Sequence, residues 1–288
     1  MGTPSPWWFV WAPIGLCYNS AMSQAQWDRL KRGLQVAAIV LAAAILWFLP
    51  DVVAWLNRQP DEAWARVQQS GAIKFAIDPS YMPFDGLGSH NDFFGIDVDL
   101  ATQLARRLGL RAEFVVTGRD SLYDVLTVGQ ADATLSALNV DPARAGKWRY
   151  STPYFDAGPV FVWRGAAPAD YANLQIAVEL GSAGDAAARH WARRHAGVTV
   201  LTYETVEAAL QALSRGEAGA ALVDAISARE LIPKMYADLV VGDYAAHDPL
   251  ALAVWGESVQ LLDALNRGLA DMQRDGTLDG ILAKWLQR

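Results

Sequence analysis

The sequence predicts an α/β fold of two similar lobes behind an apolar amino-terminal helix. Three observations carry that prediction. Short apolar strand patterns alternate with helical patterns from Ala72 to Trp285. A motif recurs, with Leu126-x-x-Gly129-x-Ala131-Asp132-Ala133 matched by Leu213-x-x-Gly216-x-Ala218-Gly219-Ala220. Each copy reads as helix, glycine stop, turn and strand, and the copies lie too far apart for a solenoid. Residues 34–49, LQVAAIVLAAAILWFL, carry no charge at all.

Composition sets the outer limits. A chain of 288 residues with 52% hydrophobic content can bury the cores of two domains. The net charge of −7 argues against nucleic acid as a partner. Cys17 is the single cysteine, which excludes an internal disulfide framework and a multi-cysteine metal site.

Continued past Pro50 and Asp51 by VVAWL, the apolar run approaches the ~20 residues that cross a bilayer. Arg29, Lys31 and Arg32 precede it, and Trp47 and Trp55 stand near its far end. Positive-inside and aromatic-belt arguments place residues 1–33 in the cytoplasm and the rest beyond residue 57 outside. The expected organisation is a transmembrane helix or uncleaved signal anchor over 34–56, then a polar tether or helix over 57–70. Cleavage near Val52-Val53-Ala54 is the alternative, and Met22 is an alternative start to Met1.

From Ser70 the elements follow in order. Ala72 to Ile77 reads as a strand, and the loop after it, DPSYMPFDGLGSHNDFFG, sits where open α/β sheets bind ligands. Tyr81 and Phe84 offer an apolar wall there, or a plug for the core. Asp97 to Leu108 is a helix, because Leu100, Leu104 and Leu108 repeat every four residues and Gly109 stops it. A strand over Arg111–Val116 and a helix from about Asp120 to Val128 come next.

Ala133 to Leu138 reads as a strand that meets Asp141-Pro142-Ala143-Arg144, the pattern of a capped helix start. Backbone donors plus the Arg144 guanidinium would suit a carboxylate, although a surface arginine fits the pattern as well. In the second copy, Gln175–Glu179 reads as a strand leading through Gly181-Ser182-Ala183-Gly184 into a helix over 185–195. That corner is suited to anions but is no nucleotide loop, lacking Gly-Lys-Ser/Thr. Strand 198–202, helix 205–215 and strand 220–223 follow, and the last delivers Asp224 as ligand contact or helix cap. An extended segment 248–255 returns to the first lobe. Ser258 then caps a helix striped with Val259, Leu262, Leu265, Leu269 and Met272, and Thr277 opens the final helix.

Six stretches in this order resemble one family, the family 3 extracellular solute-binding proteins: DPSYMPF, FFGIDVDLATQLARRLGL, GQADATLSALNVDPAR, YSTPYFDAG, GEAGAALVDA and DGTLDGILAKW. The resemblance covers about 71–288. It implies a bilobal type II periplasmic-binding-protein fold, with lobe 1 over 71–158 and 250–288, lobe 2 over 159–249, and two crossover strands near 157–162 and 249–254. It also implies amino-acid capture for an ABC permease and its ATPase, in the periplasm, by a monomer that needs no cofactor or metal. Carried over by position, Arg144 pairs with the ligand carboxylate and Asp224 with its ammonium. Tyr81 packs on the side chain, and Asp78, Phe84, Arg119, Ala137, Leu138, Asn139, Ser182 and Ala183 complete the pocket.

Three positions depart from the family pattern. Asp141 stands for a threonine, Ala183 for a hydroxyl-bearing residue and Arg119 for an aromatic. Asp78 leans toward a basic or polar side chain and Arg119 toward an acidic one, so the ligand stays open. An alternative is a sensory module acting through a signalling partner. A cyclohexadienyl-dehydratase-like enzyme is a further one, but Ser227 stands where that branch has a glutamate. His190 and His195 are five apart and lack metal spacing, and no GxSxG marks a serine nucleophile.

Overall fold

The computed structural model describes residues 24–56, 61–90 and 92–286. Cys17, Met22 and the start of the segment expected in the cytoplasm lie outside the described residues. Two compact units divide the chain, 1–59 and 60–288.

In the first unit, helix α1 (Gln24–Leu56) contains an apolar stretch, Lys31–Leu49, with a mean hydropathy of 2.0 and none of it buried. It is long and apolar enough to cross a membrane, a property that it shares with signal sequences.

The second unit opens with a helix, one of the two readings open for the tether segment. Helix α2 (Glu62–Ser70) buries Ala63 and Val67. Asp61 explains why this polar stretch is ordered. One carboxylate oxygen accepts from Trp64 N at 2.9 Å and caps α2. The other accepts from Leu261 N at 3.0 Å, at the start of a helix 200 residues further on. Arg66 adds an ion pair to Asp132 at 3.2 Å.

Strands β1 (Ala72–Ile77) and β4 (Arg111–Val116) have the bounds that their apolar patterns predict. Between them lie the short ribbon β2 (Gly86–Leu87) and β3 (Phe93–Phe94), then helix α3 (Ile96–Arg107). Leu100 and Leu104 are fully buried, as the four-residue repeat requires. The expected helix after β4 is broken into a 3-10 turn, Arg119–Ser121, and the single turn α4 (Asp124–Thr127).

Strands β5 (Ala133–Thr134) and β6 (Trp148–Tyr150) follow, then β7 (Phe155–Asp156) and β8 (Pro159–Arg164). The second copy contributes β9 (Gln175–Glu179), α5 (Ala183–Ala192), β10 (Thr199–Tyr203), α6 (Val206–Ser214), β11 (Ala220–Asp224), α7 (Ala225–Met235) and β12 (Leu239–Tyr244). Strands β13 (Pro249–Leu250) and β14 (Ala253–Trp255) precede α8 (Val259–Arg274) and α9 (Thr277–Leu286). Ser258 makes no side-chain cap at α8, because Asp61 already satisfies the Leu261 N–H.

Two five-stranded sheets result, ordered β4-β1-β5-β14-β6 and β10-β9-β11-β8-β12. Each has three parallel strands followed by antiparallel ones. The internal repeat corresponds to this shared topology: α4 and β5 stand to the first sheet as α6 and β11 stand to the second. Gly129 and Gly216 both take φ near +70°, the left-handed conformation that ends a helix without a Cβ clash. The fold is thus bilobal, and its two links are β7 and β13, which pair antiparallel. Asp156 pins them by accepting from Asp248 N and Gly158 N, both at 2.9 Å, and from His247 Nδ1 at 2.6 Å.

Candidate functional site

Parallel strands of both sheets deliver the candidate residues at their carboxyl ends. Asp78 follows β1, Arg119 follows β4, and Ala137, Leu138 and Asn139 follow β5. Ser182 and Ala183 follow β9, and Asp224 ends β11. This is where open α/β sheets place ligands.

One cluster forms around Tyr81. The Arg119 guanidinium lies 5.2 Å from the Tyr81 ring centroid. Its Nη2 sits 3.5 Å from both the Ala137 carbonyl and Asn139 Oδ1. Asn139 Nδ2 donates to Asp248 Oδ1 at 2.6 Å, tying the cluster to the second link. Asp78 Oδ1 accepts from Ser80 N and Oγ, whereas its Oδ2 has no partner among the described residues.

Two of the expected contacts are core residues instead. Phe84 is fully buried, backing Tyr81 at 6.0 Å and meeting Phe155 edge-on. Leu138 packs with Tyr123 and Trp148, and its carbonyl accepts from Ala251 N. Both apolar side chains gain more from the core than from an open cleft.

Arg144 stands in a second cluster. Asp141 does cap Ala143 N at 2.9 Å, but the segment Pro142–Arg144 is a single 3-10 turn. Ala145 is extended, so no helix follows, and the backbone donors of the turn are used by Asp141. What remains is the guanidinium. Its Nε bonds to Asp141 Oδ2 at 3.0 Å, and its plane lies over Tyr123 at 4.6 Å and Trp148 at 5.9 Å. The terminal Nη groups have no partner among the described residues. They are free to fork onto a carboxylate.

On the second sheet, Ser182 Oγ accepts from Asp185 N at 3.1 Å and caps α5. Asp185 in turn takes Gly181 N at 3.1 Å and pairs with Arg189 at 2.7 Å. This carboxylate occupies part of the expected anion corner. Asp224 is a helix cap, accepting from Ser227 N at 2.8 Å through Oδ1. Its Oδ2 has no partner among the described residues, so capping and ligand contact are compatible. Among the described residues no hydrogen bond or ion pair joins Ser182 or Asp224 to Asp78, Arg119 or Arg144.

Three supporting residues, Asp85, Asp97 and Ser136, were not expected from the sequence. Asp85 and Asp97 are fully buried. Ser136 Oγ accepts from Asp78 N at 3.0 Å and donates to Asp85 Oδ2 at 2.5 Å. Asp97 Oδ2 accepts from Ala137 N at 2.6 Å, holding Ala137 at φ +41°, a conformation that alanine rarely adopts. Burial, with the neighbouring Asp97 charge, pushes the Asp85 carboxyl well above the usual range. Burial also raises Asp97, against the Ala137 N–H and the neighbouring Tyr154 hydroxyl. The sequence carried one signal, a GxDxD stretch at a helix start, where acidic residues are ordinary and carry no mark of burial.

Residues 73–288 match the bacterial extracellular solute-binding proteins, family 3. The chain belongs to this family. Among its family relatives, the L-cystine-binding protein TcyJ of Escherichia coli is 29% identical over 228 residues, covering 76% of this chain and 84% of TcyJ. ABC transporter arginine-binding protein 1 of Escherichia coli is 27% identical, covering 74% of this chain and 90% of its own. The solved structure of an ancestral cationic amino acid solute-binding protein is 28% identical, with a TM-score of 0.57 over 77% of this chain and 99% of that one. These family members are named as binding proteins, and the family is periplasmic.

Proposed function

We propose that this chain is a membrane-tethered periplasmic binder that traps an amino acid between its lobes and delivers it to an ABC permease and its ATPase. In this reading lobe 1 comprises 71–158 and 250–288, and lobe 2 comprises 159–249. One observation supports it above the others. Arg144 stands in the 3-10 turn between β5 and β6 of the first sheet and Asp224 ends β11 of the second, and each keeps one face of its charged group without a partner. A zwitterion supplies both missing partners, a carboxylate for the Arg144 fork and an ammonium for Asp224 Oδ2. Each is engaged from its own lobe, so ligand favours the closed form by its differential affinity.

The relatives' named ligands, cystine and arginine, are amino acids, in keeping with this clamp. We read the chain as a monomeric binder and not an enzyme. The position where a dehydratase of this fold has a glutamate is Ser227, whose N–H is spent on Asp224. The apolar stretch Lys31–Leu49 supports an inner-membrane anchor, with a cleaved signal as the alternative.

Isothermal titration of the full chain in detergent tests the clamp, using the twenty common L-amino acids and L-cystine. Arg144→Ala and Asp224→Asn should each weaken binding by ~10- to 100-fold, the worth of one charge-assisted bond. Unchanged affinity in both variants would refute it.

A further inference from the structure

The charges of the cleft fall into two sets, and only one is needed for an amino-acid headgroup. Arg144 and Asp141 act together on Tyr123. Asp78 and Arg119 stand on the Tyr81 side: the Asp78 N–H donates to Ser136 Oγ at 3.0 Å, and Arg119 reaches the carbonyl of the next residue, Ala137, and the Tyr81 ring. Arg119 has no carboxylate partner among the described residues, and its three contacts are the Tyr81 ring and two oxygens at 3.5 Å. Asp78 keeps Oδ2 free. No ion pair joins Arg119 to Asp78.

A cation and an anion that stand together without neutralising each other define a dipolar subsite. A purely cationic side chain would meet Arg119, and a purely anionic one would meet Asp78, each at a cost in like-charge repulsion. An apolar side chain would strip water from both charges without replacing their hydrogen bonds. Stacking on Tyr81 is also curtailed, because Arg119 lies over its ring and Phe84 stacks against it.

We propose that the end of the cleft bounded by Asp78, Tyr81 and Arg119 selects an amino acid whose side chain ends in a group with both an accepting oxygen and a donating nitrogen. The oxygen meets the Arg119 guanidinium and the nitrogen meets Asp78 Oδ2. Two chemistries supply such a terminus, a second α-amino-acid headgroup, as in L-cystine, and a carboxamide, as in L-glutamine. The inference rests on the amino-acid reading above, and it assigns Asp78 and Arg119 to specificity.

The test is isothermal titration of the full chain in detergent with L-cystine, L-glutamine, L-arginine, L-glutamate and L-leucine. Cystine or glutamine should bind at least ~10-fold more tightly than the other three, and the tighter of the two names the terminus. Arg119→Glu should reverse the order in favour of L-arginine, and Arg119→Met should cost the preferred ligand ~10- to 100-fold. Ligand-free melting curves of the variants establish that they are folded, and the wild-type panel decides the matter even if they are not. If arginine, glutamate or leucine binds as tightly as the dipolar ligands, the proposal is overturned while amino-acid binding stands. If none of the five binds but another amino acid does, the subsite assignment alone falls. If no amino acid binds, the clamp reading falls with it.

Discussion

Asp61→Ala removes an acceptor that two helix starts share. In the native chain, Oδ1 caps α2 through Trp64 N at 2.9 Å, and Oδ2 takes Leu261 N at 3.0 Å on a fully buried residue of α8. A lost N-cap costs roughly 1 kcal/mol, and a buried N–H left without a partner costs roughly 1–3 kcal/mol. Together the loss should be about 3 kcal/mol. For a body of this size that lowers the melting temperature by about 6–12 °C. Asp61→Ser separates the two roles, because a serine hydroxyl can cap its own helix but is too short to serve α8 as well. It should keep about a third of the lost stability. Thermal unfolding of the full chain in detergent, followed by tryptophan fluorescence, measures both variants. A shift under 2 °C for Asp61→Ala, or an Asp61→Ser curve that overlays the wild type, would refute the shared-cap account.

Two further predictions concern buried and linking carboxylates. Asp85 has a folded pKa well above its unfolded value, so the native state holds a proton that the unfolded chain releases above about pH 4. Stability should therefore fall as pH rises from 5 to 8, by up to about 1.4 kcal/mol per pH unit for each proton retained. Asp85→Asn should flatten that slope in denaturation curves taken across the range, and an unchanged slope would place the effect elsewhere. Asp156 has the opposite sign. Burial raises it, but the N–H groups of Asp248 and Gly158, with His247, outweigh that and hold its pKa below the ordinary value. Its contribution is present at neutral pH and lost only as pH falls below the carboxylate range. Asp156→Ala should cost about 1–3 kcal/mol at pH 7 by urea denaturation, and progressively less as the pH falls below the ordinary carboxylate value.

Much of this fold is legible in the chain because local pattern and tertiary burial agree. Strands β1 and β4 alternate or run apolar between clear breakers, and the α3 leucines occupy one buried face. The recurring Leu-x-x-Gly stretch marks corresponding elements of two sheets with one topology. The failures have physical causes. Asp-Pro opens a 3-10 turn as readily as a helix, and the extended Ala145 decides between them. The stretch before Ser70 reads as tether or helix alike, because the partner that orders it, Leu261, lies 200 residues away. The burial of Asp85 and Asp97 is not legible, since nothing local reports that Ser136 and Ala137 will meet them in the core. Phe84 could face either way by sequence, and packing on Phe155 settles it.

The two-lobe clamp itself is tested most directly by a distance across the cleft. Spin labels at Asp120→Cys and Leu180→Cys, in a Cys17→Ser background, sit at exposed positions, in the 3-10 turn after β4 of the first sheet and directly after β9 of the second. The full chain in detergent would be measured alone and with a saturating mixture of the twenty common L-amino acids and L-cystine. The account predicts that the mixture shortens the distance and that Arg144→Ala abolishes the change. Superimposable distance distributions with and without amino acids would contradict it.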